Sequence, residues 1–146
     1  MPEKETLERA KRDKQEGKSP STQAGEFVHE EIDHIREGKH GARSTKQAIA
    51  IGLSKARRAG VDLPPSPGSS EEVKEQAARD MRKAKSGKKS AKSTKRSRAT
   101  SKALKREGHS AASRKSLSRQ ARTAAKKRSA ASRSRAAKKA AATRKK

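Results

Sequence analysis

The sequence has 146 residues, with 41 Lys or Arg against 16 Asp or Glu, for a net charge of +25. Apolar residues make up only 27% and Phe27 is the sole aromatic, so little apolar surface is available to offset chain entropy, and a large core is excluded. No cysteine is present, which excludes disulfides and thiolate metal sites. Residues 1–10 lack the apolar stretch of a signal peptide. The longest apolar run, residues 48–51, is too short to cross a bilayer. A cytoplasmic protein with no membrane partner is expected.

In chain order, residues 1–20 read as a flexible charged arm. Pro20 precedes a helix expected over residues 22–37, with Ser21 or Thr22 as N-cap and Gly38 past its end. Ala24, Val28, Ile32 and Ile35 share one face of that helix, with Phe27 beside them. After a turn-like connector, Ser44-Thr45-Lys46-Gln47 matches a capping box. It should open a second helix running to Ala59, with Ile49, Leu53 and Ala56 inward. Val61 and Leu63 are positioned to fold back on it. Nine of the fifteen Val, Ile, Leu, Met and Phe residues lie between Phe27 and Leu63, so the core is expected in a helical hairpin spanning residues 21–63. Such a small unit is marginal alone, and a homodimer through its apolar face is one way to stabilise it.

Residues 64–69 form a Pro/Ser linker. Residues 70–85 can form a short helix with Val73, Ala77 and Met81 at i, i+4 spacing. Residues 86–146 read as a disordered basic tail, helical at most in part. The expected fold class is therefore mostly α with extensive disorder: a small hairpin and a long cationic tail. One internal echo stands out. Residues 36–46 resemble residues 106–115 with one gap, each reading as a helix end, a small-residue turn and a Ser-capped restart.

Catalytic signals are poor. His29 and His34 sit five apart within His29-Glu30-Glu31-Ile32-Asp33-His34, about 140° around a helix, so they cannot share one ion from one face. His40 and His109 lie in small-residue turns. No phosphate loop, dinucleotide fingerprint or nucleophile elbow is present. Neither an enzyme, a cofactor nor a metal site is expected.

The charge distribution carries the functional signal. Residues 1–80 hold 15 cationic and 15 acidic side chains, whereas residues 81–146 hold 26 Lys or Arg and one acid, Glu107. Unbalanced cations at that density call for a polyanion, and neutralising phosphates releases condensed counterions. The candidate nucleic-acid contacts are Lys88, Lys89, Lys95, Arg96, Arg98, Lys105, Arg106, Arg114, Lys115, Arg119, Arg122, Lys126, Lys127, Arg128, Arg133, Arg135, Lys138, Lys139, Arg144, Lys145 and Lys146. Lys46, Lys55, Arg57 and Arg58 in the hairpin are secondary candidates, although the helix macrodipole explains the last three equally well. A helix-turn-helix reading would make residues 44–59 the recognition helix. The tail has no Phe, Tyr or Trp on which to stack unpaired bases. Double-stranded DNA is thus the expected partner, with RNA the alternative. Only like-charge repulsion opposes helix in residues 122–144, and phosphate neutralisation is expected to remove it.

The tail resembles the Ala/Lys/Ser-rich tails of linker histones and bacterial histone-like proteins, which implies chromatin or nucleoid compaction. It departs from the eukaryotic tails in lacking proline, and no winged-helix domain precedes it. Separately, Glu37-Gly38-Lys39-His40-Gly41-Ala42-Arg43-Ser44-Thr45-Lys46-Gln47 and its continuation to Gly60 are similar to a family of short uncharacterised bacterial proteins. That resemblance implies a bacterial source and no activity. The sequence thus predicts a sequence-nonspecific, nucleoid-associated DNA-binding protein. An RNA- or ribosome-associated protein and a disordered stress-protective protein are the alternatives.

Overall fold

Serine punctuates this chain, and the helices begin where it does. In the computed structural model, which describes residues 1–87 and 91–145, Ser19, Ser44, Ser93, Ser113 and Ser129 each accept a bond from the backbone N–H three residues on. Each such bond satisfies one of the donors that a helix start leaves free. The described residues form seven α helices: α1 (Lys4–Gln15), α2 (Pro20–Arg36), α3 (Thr45–Arg58), α4 (Glu71–Ser86), α5 (Thr94–Arg106), α6 (Arg114–Lys126) and α7 (Ala130–Arg144). A 3-10 turn, Ser110–Ala112, lies between α5 and α6.

Helices α2, α4 and α6 pack on α3 and α1 packs on α2, whereas α5 and α7 bury no residue. Two apolar clusters hold the packed helices. One joins Ile32, Ile35, Ala42 and Ala48 to Ala111 and Ala112, with Val28 and Leu117 at its margin. The other joins Ala10, Ala24, Phe27, Ala56 and Val61, with Leu53 and Leu63 alongside. The fold-back of Val61 and Leu63 is present, and the Leu63 carbonyl accepts from Arg57 Nε at 2.8 Å.

Three expectations need correction. First, the fold is a helical bundle and not a hairpin with a long disordered tail. Residues 94–126 supply α5, the 3-10 turn and α6, and they dock through backbone as much as side chains. The Gly41 N–H donates to the Leu104 carbonyl at 2.9 Å and the Ala42 N–H to the Gly108 carbonyl at 3.1 Å. Thr45 Oγ1 donates to the Ala111 carbonyl at 2.6 Å and Arg36 Nε to the Ala112 carbonyl at 3.1 Å. Low hydrophobicity mispredicts disorder here because Ala111, Ala112 and Leu117, set between Ser-capped stretches of good helix formers, suffice for docking together with these backbone bonds. The segments of the internal echo thus lie directly against each other.

Second, residues 4–15 form α1 rather than a free arm. Thr6, Ala10 and Asp13 are buried on it. Its attachment is mostly polar: Arg9 Nε donates to Glu26 at 2.6 Å, and the Glu3 N–H to Glu30 at 3.0 Å. Third, the inward face of α3 is rotated by one residue. Thr45, Ala48, Gly52 and Ala56 are buried, whereas Ile49 and Leu53 are only partly so. Small residues face inward because the α2 backbone comes so close. A Cβ added at Gly52 would lie 2.7 Å from Val28 Cα.

Helix α4 is held by a charge rather than by its thin apolar stripe. Ala77 and Asp80 are fully buried, while Val73 is exposed. Asp80 accepts from Ser54 Oγ at 2.6 Å, Arg58 Nε at 2.8 Å and Gln76 Nε2 at 3.2 Å. Burial pushes its carboxyl up, but these donors outweigh burial and hold it below the ordinary range. No described helix is long and apolar enough to cross a membrane.

Candidate nucleic-acid interface

Among the described residues, every ion pair lies between positions 3 and 79 or joins Arg58 to Asp80. The described cations after Asp80 thus have no carboxylate within ion-pair distance, and Glu107 pairs with none of them. Two helices organise part of this charge. On α6, Lys115, Arg119, Arg122 and Lys126 fall within an arc of about 60° at the helical period. They form one solvent face together with Ser118 and Thr123. Leu117, on the opposite side, packs into the first apolar cluster. The amphipathy of α6 is therefore apolar inward and cationic outward. On α5, Arg98, Lys102, Lys105 and Arg106 share a face with Ser97 and Ser101, and Lys95 falls on the same arc.

The other candidates are placed differently. Arg96 lies across α5 from that face, and Arg114 stands beside the α6 stripe. Lys127 and Arg128 follow the end of α6, where Arg128 donates to Ser132 Oγ at 3.2 Å. On α7, Arg133, Arg135, Lys138, Lys139 and Arg144 fall all round the helix, which buries no residue; Lys145 follows as its C-cap. Lys88, Lys89 and Lys146 lie outside the described residues. Lys102 shares the α5 face but was missed by reading only clustered basic residues, since it stands alone in the sequence. Its i+4 spacing from Arg98 was the available signal.

Of the secondary candidates, only Lys46 is exposed without an internal partner. Lys55 Nζ lies 3.2 Å from Glu30 Oε1 and 2.7 Å from Glu31 Oε2. Arg57 is buried against the Leu63 carbonyl, and Arg58 binds Asp80. Helix α3 is contacted by α2, α4 and α6, which leaves Lys46, Ala50 and Arg58 as its exposed residues. The apolar face of the hairpin is covered within the chain, by α1, the 3-10 turn and α6.

A second polar cluster lies at the end of α2. Glu30 and Glu31 are buried. Burial raises the Glu30 carboxyl, but bonds from the Glu3 N–H, Thr6 and Lys55 prevail and leave it lowered. Glu3 reaches the same region: its Oε1 lies 3.0 Å from His34 Nε2 and 3.2 Å from Lys39 Nζ. The bonds from His34 and Lys39 hold it below the usual carboxylate range. His40 stands beyond, with Nε2 3.2 Å from Glu31 Oε1. His29 points away, mostly exposed and paired with Asp33 at 3.1 Å. As expected from spacing, the two histidines of α2 do not meet. The structure pairs His34 with His40 instead, their rings 6.1 Å apart edge to face. Sequence reading missed this because the turn at Gly38, with φ of +75°, was needed to bring residue 40 back.

Residues 11–67 match a family of unknown function (DUF6496). No curated protein and no solved structure matches the chain. The matched span runs from α1 to the linker after Leu63. It contains the Glu31–His34–His40 cluster and excludes the cationic helices.

Proposed function

We propose that this protein binds double-stranded DNA without sequence specificity, as a histone-like, nucleoid-associated protein acting by phosphate neutralisation and without catalysis. The observation that carries the reading is the α6 face: Lys115, Arg119, Arg122 and Lys126 are aligned, exposed and far from any carboxylate partner. A helix with one apolar side anchored and one cationic side free can hold several phosphates at once without ordering a loose chain first. The aligned α5 face adds a second cationic surface on a helix that buries no residue, and α7 a helix cationic on all sides.

Phosphate neutralisation suffices for this contact. The cationic helices lack aromatics for stacking. Their Lys, Arg, Ser and Thr side chains suit backbone contacts. Helix already present in the cationic half also changes the expected response to DNA. Binding stabilises existing helices rather than building them from coil.

The test is a binding titration of the full chain with duplex DNA across salt concentrations, beside a variant carrying Lys115→Gln, Arg119→Gln, Arg122→Gln and Lys126→Gln. If each side chain neutralises one phosphate, the slope of log K against log salt becomes shallower by about 3.6 in the variant. An unchanged slope removes α6 from the interface. Competition by structured RNA at fixed salt, if it displaces DNA at lower concentration than duplex competitor, assigns the surface to RNA instead.

A further inference from the structure

The Glu31 carboxylate poses a problem that the nucleic-acid reading does not touch. It is only 1% exposed, and neither of its oxygens has a hydrogen-bond partner. Lys55 Nζ and His40 Nε2 lie within ion-pair distance, at 2.7 and 3.2 Å, but off the angles a hydrogen bond requires. The Lys55 ammonium offsets part of the cost of burying this charge at Oε2, and Oε1 is left facing only His40.

We propose that Glu31, His34 and His40 form a binding site for a divalent cation of the zinc class. Three features beyond proximity support the assignment. His40 Nδ1 lies 3.0 Å from the Gly41 carbonyl. A carbonyl only accepts, so Nδ1 carries the hydrogen, and in the neutral ring the lone pair sits on Nε2. That nitrogen faces Glu31 Oε1 at 3.2 Å. Two acceptors facing each other at this distance call for a proton or a metal cation between them. Ligands about 2.05 Å from a tetrahedral ion are about 3.3 Å apart, so the Glu31–His40 edge already has the span of a coordination edge. A backbone carbonyl holding the outer nitrogen of a ligating imidazole is also the usual way such a ring is oriented.

The third ligand and the charge balance fit as well. One ring nitrogen of His34 joins the set, all ligand atoms lying within 4.8 Å of one another. Closing them round an ion takes a shift of up to about 1.5 Å. Glu3 holds the His34 ring from outside through Nε2. Glu3, Glu30 and Glu31 bring three negative charges, against Lys39 and Lys55. The remaining single negative charge favours a cation there. Lys55 approaches Oε2 of Glu31, which leaves Oε1 for the ion. Imidazole and carboxylate donors without thiolate suit zinc and its neighbours better than calcium, which prefers an all-oxygen shell. With three protein ligands the fourth position is open to water. The site ties the last turn of α2 to the 39–43 loop, the loop that holds Leu104 and Gly108.

The experiment uses the full chain, stripped with chelator and titrated with Co2+ and then Zn2+. The proposal expects one equivalent of Co2+ to give the strong visible d–d absorption of four-coordinate cobalt, bleached when Zn2+ displaces it. Zn2+ should also raise Tm, reversibly with chelator, by mass action. Glu31→Gln and His40→Gln should each weaken binding at least tenfold, with far-UV circular dichroism confirming that each variant is folded. His29→Gln, at an exposed residue outside the cluster, should bind as the parent does. Absence of saturable binding at micromolar metal overturns the proposal. So does a His29→Gln loss equal to that of His40→Gln, or unaltered binding by folded Glu31→Gln and His40→Gln.

Discussion

Replacing Gly41 with alanine tests whether the basic half of the chain is anchored to the acidic-and-basic half as described. A Cβ at position 41 would collide with the Glu107 carbonyl group and lie 2.6 Å from the Gly108 carbonyl oxygen. All of these are backbone atoms, so no rotamer change relieves the overlap and the two segments must part. Two hydrogen bonds go with them, Gly41 N–H to Leu104 and Ala42 N–H to Gly108, worth about 1 kcal/mol each. Overpacking adds about 1–3 kcal/mol. A loss of about 3 kcal/mol in docking free energy is expected, which raises local opening about a hundredfold.

Native-state hydrogen exchange reads this directly. Amides of α6 should lose about two orders of magnitude of protection in Gly41→Ala, while those in the middle of α2 and α3 should lose less. Gly25→Ala is the control. Gly25 lies mid-helix with nothing within 4 Å of a new Cβ, so that variant should gain about 1 kcal/mol from helix propensity alone. If α6 exchanges equally in the parent and in Gly41→Ala, the docking of residues 104–112 on the 41–42 loop is refuted.

Other consequences follow from the same packing. Gly52→Val puts side-chain atoms into the Val28 backbone and should cost about 3 kcal/mol, measured by urea titration; a loss below about 1 kcal/mol would mean that α2 and α3 do not approach so closely. Asp80→Ala leaves Ser54 and Arg58 without their acceptor, and a loss of about 2 kcal/mol, or about 8 °C in Tm, is expected. Because Asp80 titrates below its unfolded range in the folded chain, the unfolded state takes up its proton first as pH falls. Its contribution is thus complete above the ordinary carboxylate range, near pH 4, and is lost as pH drops through the folded value. The stability gap between the parent and Asp80→Asn should therefore narrow in acid, and a gap independent of pH would remove the charge from the account.

How much of this was legible in the sequence depends on what kind of signal each element carries. Helices α2 and α3 were readable because apolar periodicity and serine caps agree there. The predicted starts were off by one to three residues at α2, where Ser19 caps and Pro20 takes the first turn. Gln47 supplies a variation on the capping box: its Oε1 accepts from the Arg43 N–H at 2.7 Å, while Ser44 Oγ accepts from the Gln47 N–H at 3.2 Å. Helix α1 was illegible because its attachment is made by Thr6, Arg9 and Glu3, residue types that mean solvent when seen alone. Helix α6 was misread for a related reason. Composition averages over 66 residues, and in that average Ala111, Ala112 and Leu117 vanish among the cations. Position, not abundance, makes them core. The Glu31–His34–His40 cluster needed a turn geometry, and no spacing rule supplies that.

The division of charge along the chain acquires a physical sense once the ion pairs are placed. Had the fifteen acids of residues 1–80 been free, the nearest cations of α5 and α6 would draw them in, and the surface charge of the bundle would largely cancel. Instead twelve of them are paired locally, among them Glu26 with Arg9, Asp13 with Lys18, Glu30 with Lys55 and Asp80 with Arg58. Three of the acids in these pairs, Asp13, Glu30 and Asp80, are buried, where neither salt nor the cationic helices reach them easily. The first half thereby anchors α6 through apolar and backbone contacts while offering it almost no negative charge. A stripe of four cations held rigid and left unneutralised keeps its field for whatever polyanion approaches. That separation, adhesion by alanine and backbone on one side of α6 and charge on the other, lets the same helix be part of a bundle and, in the function proposed above, meet phosphates.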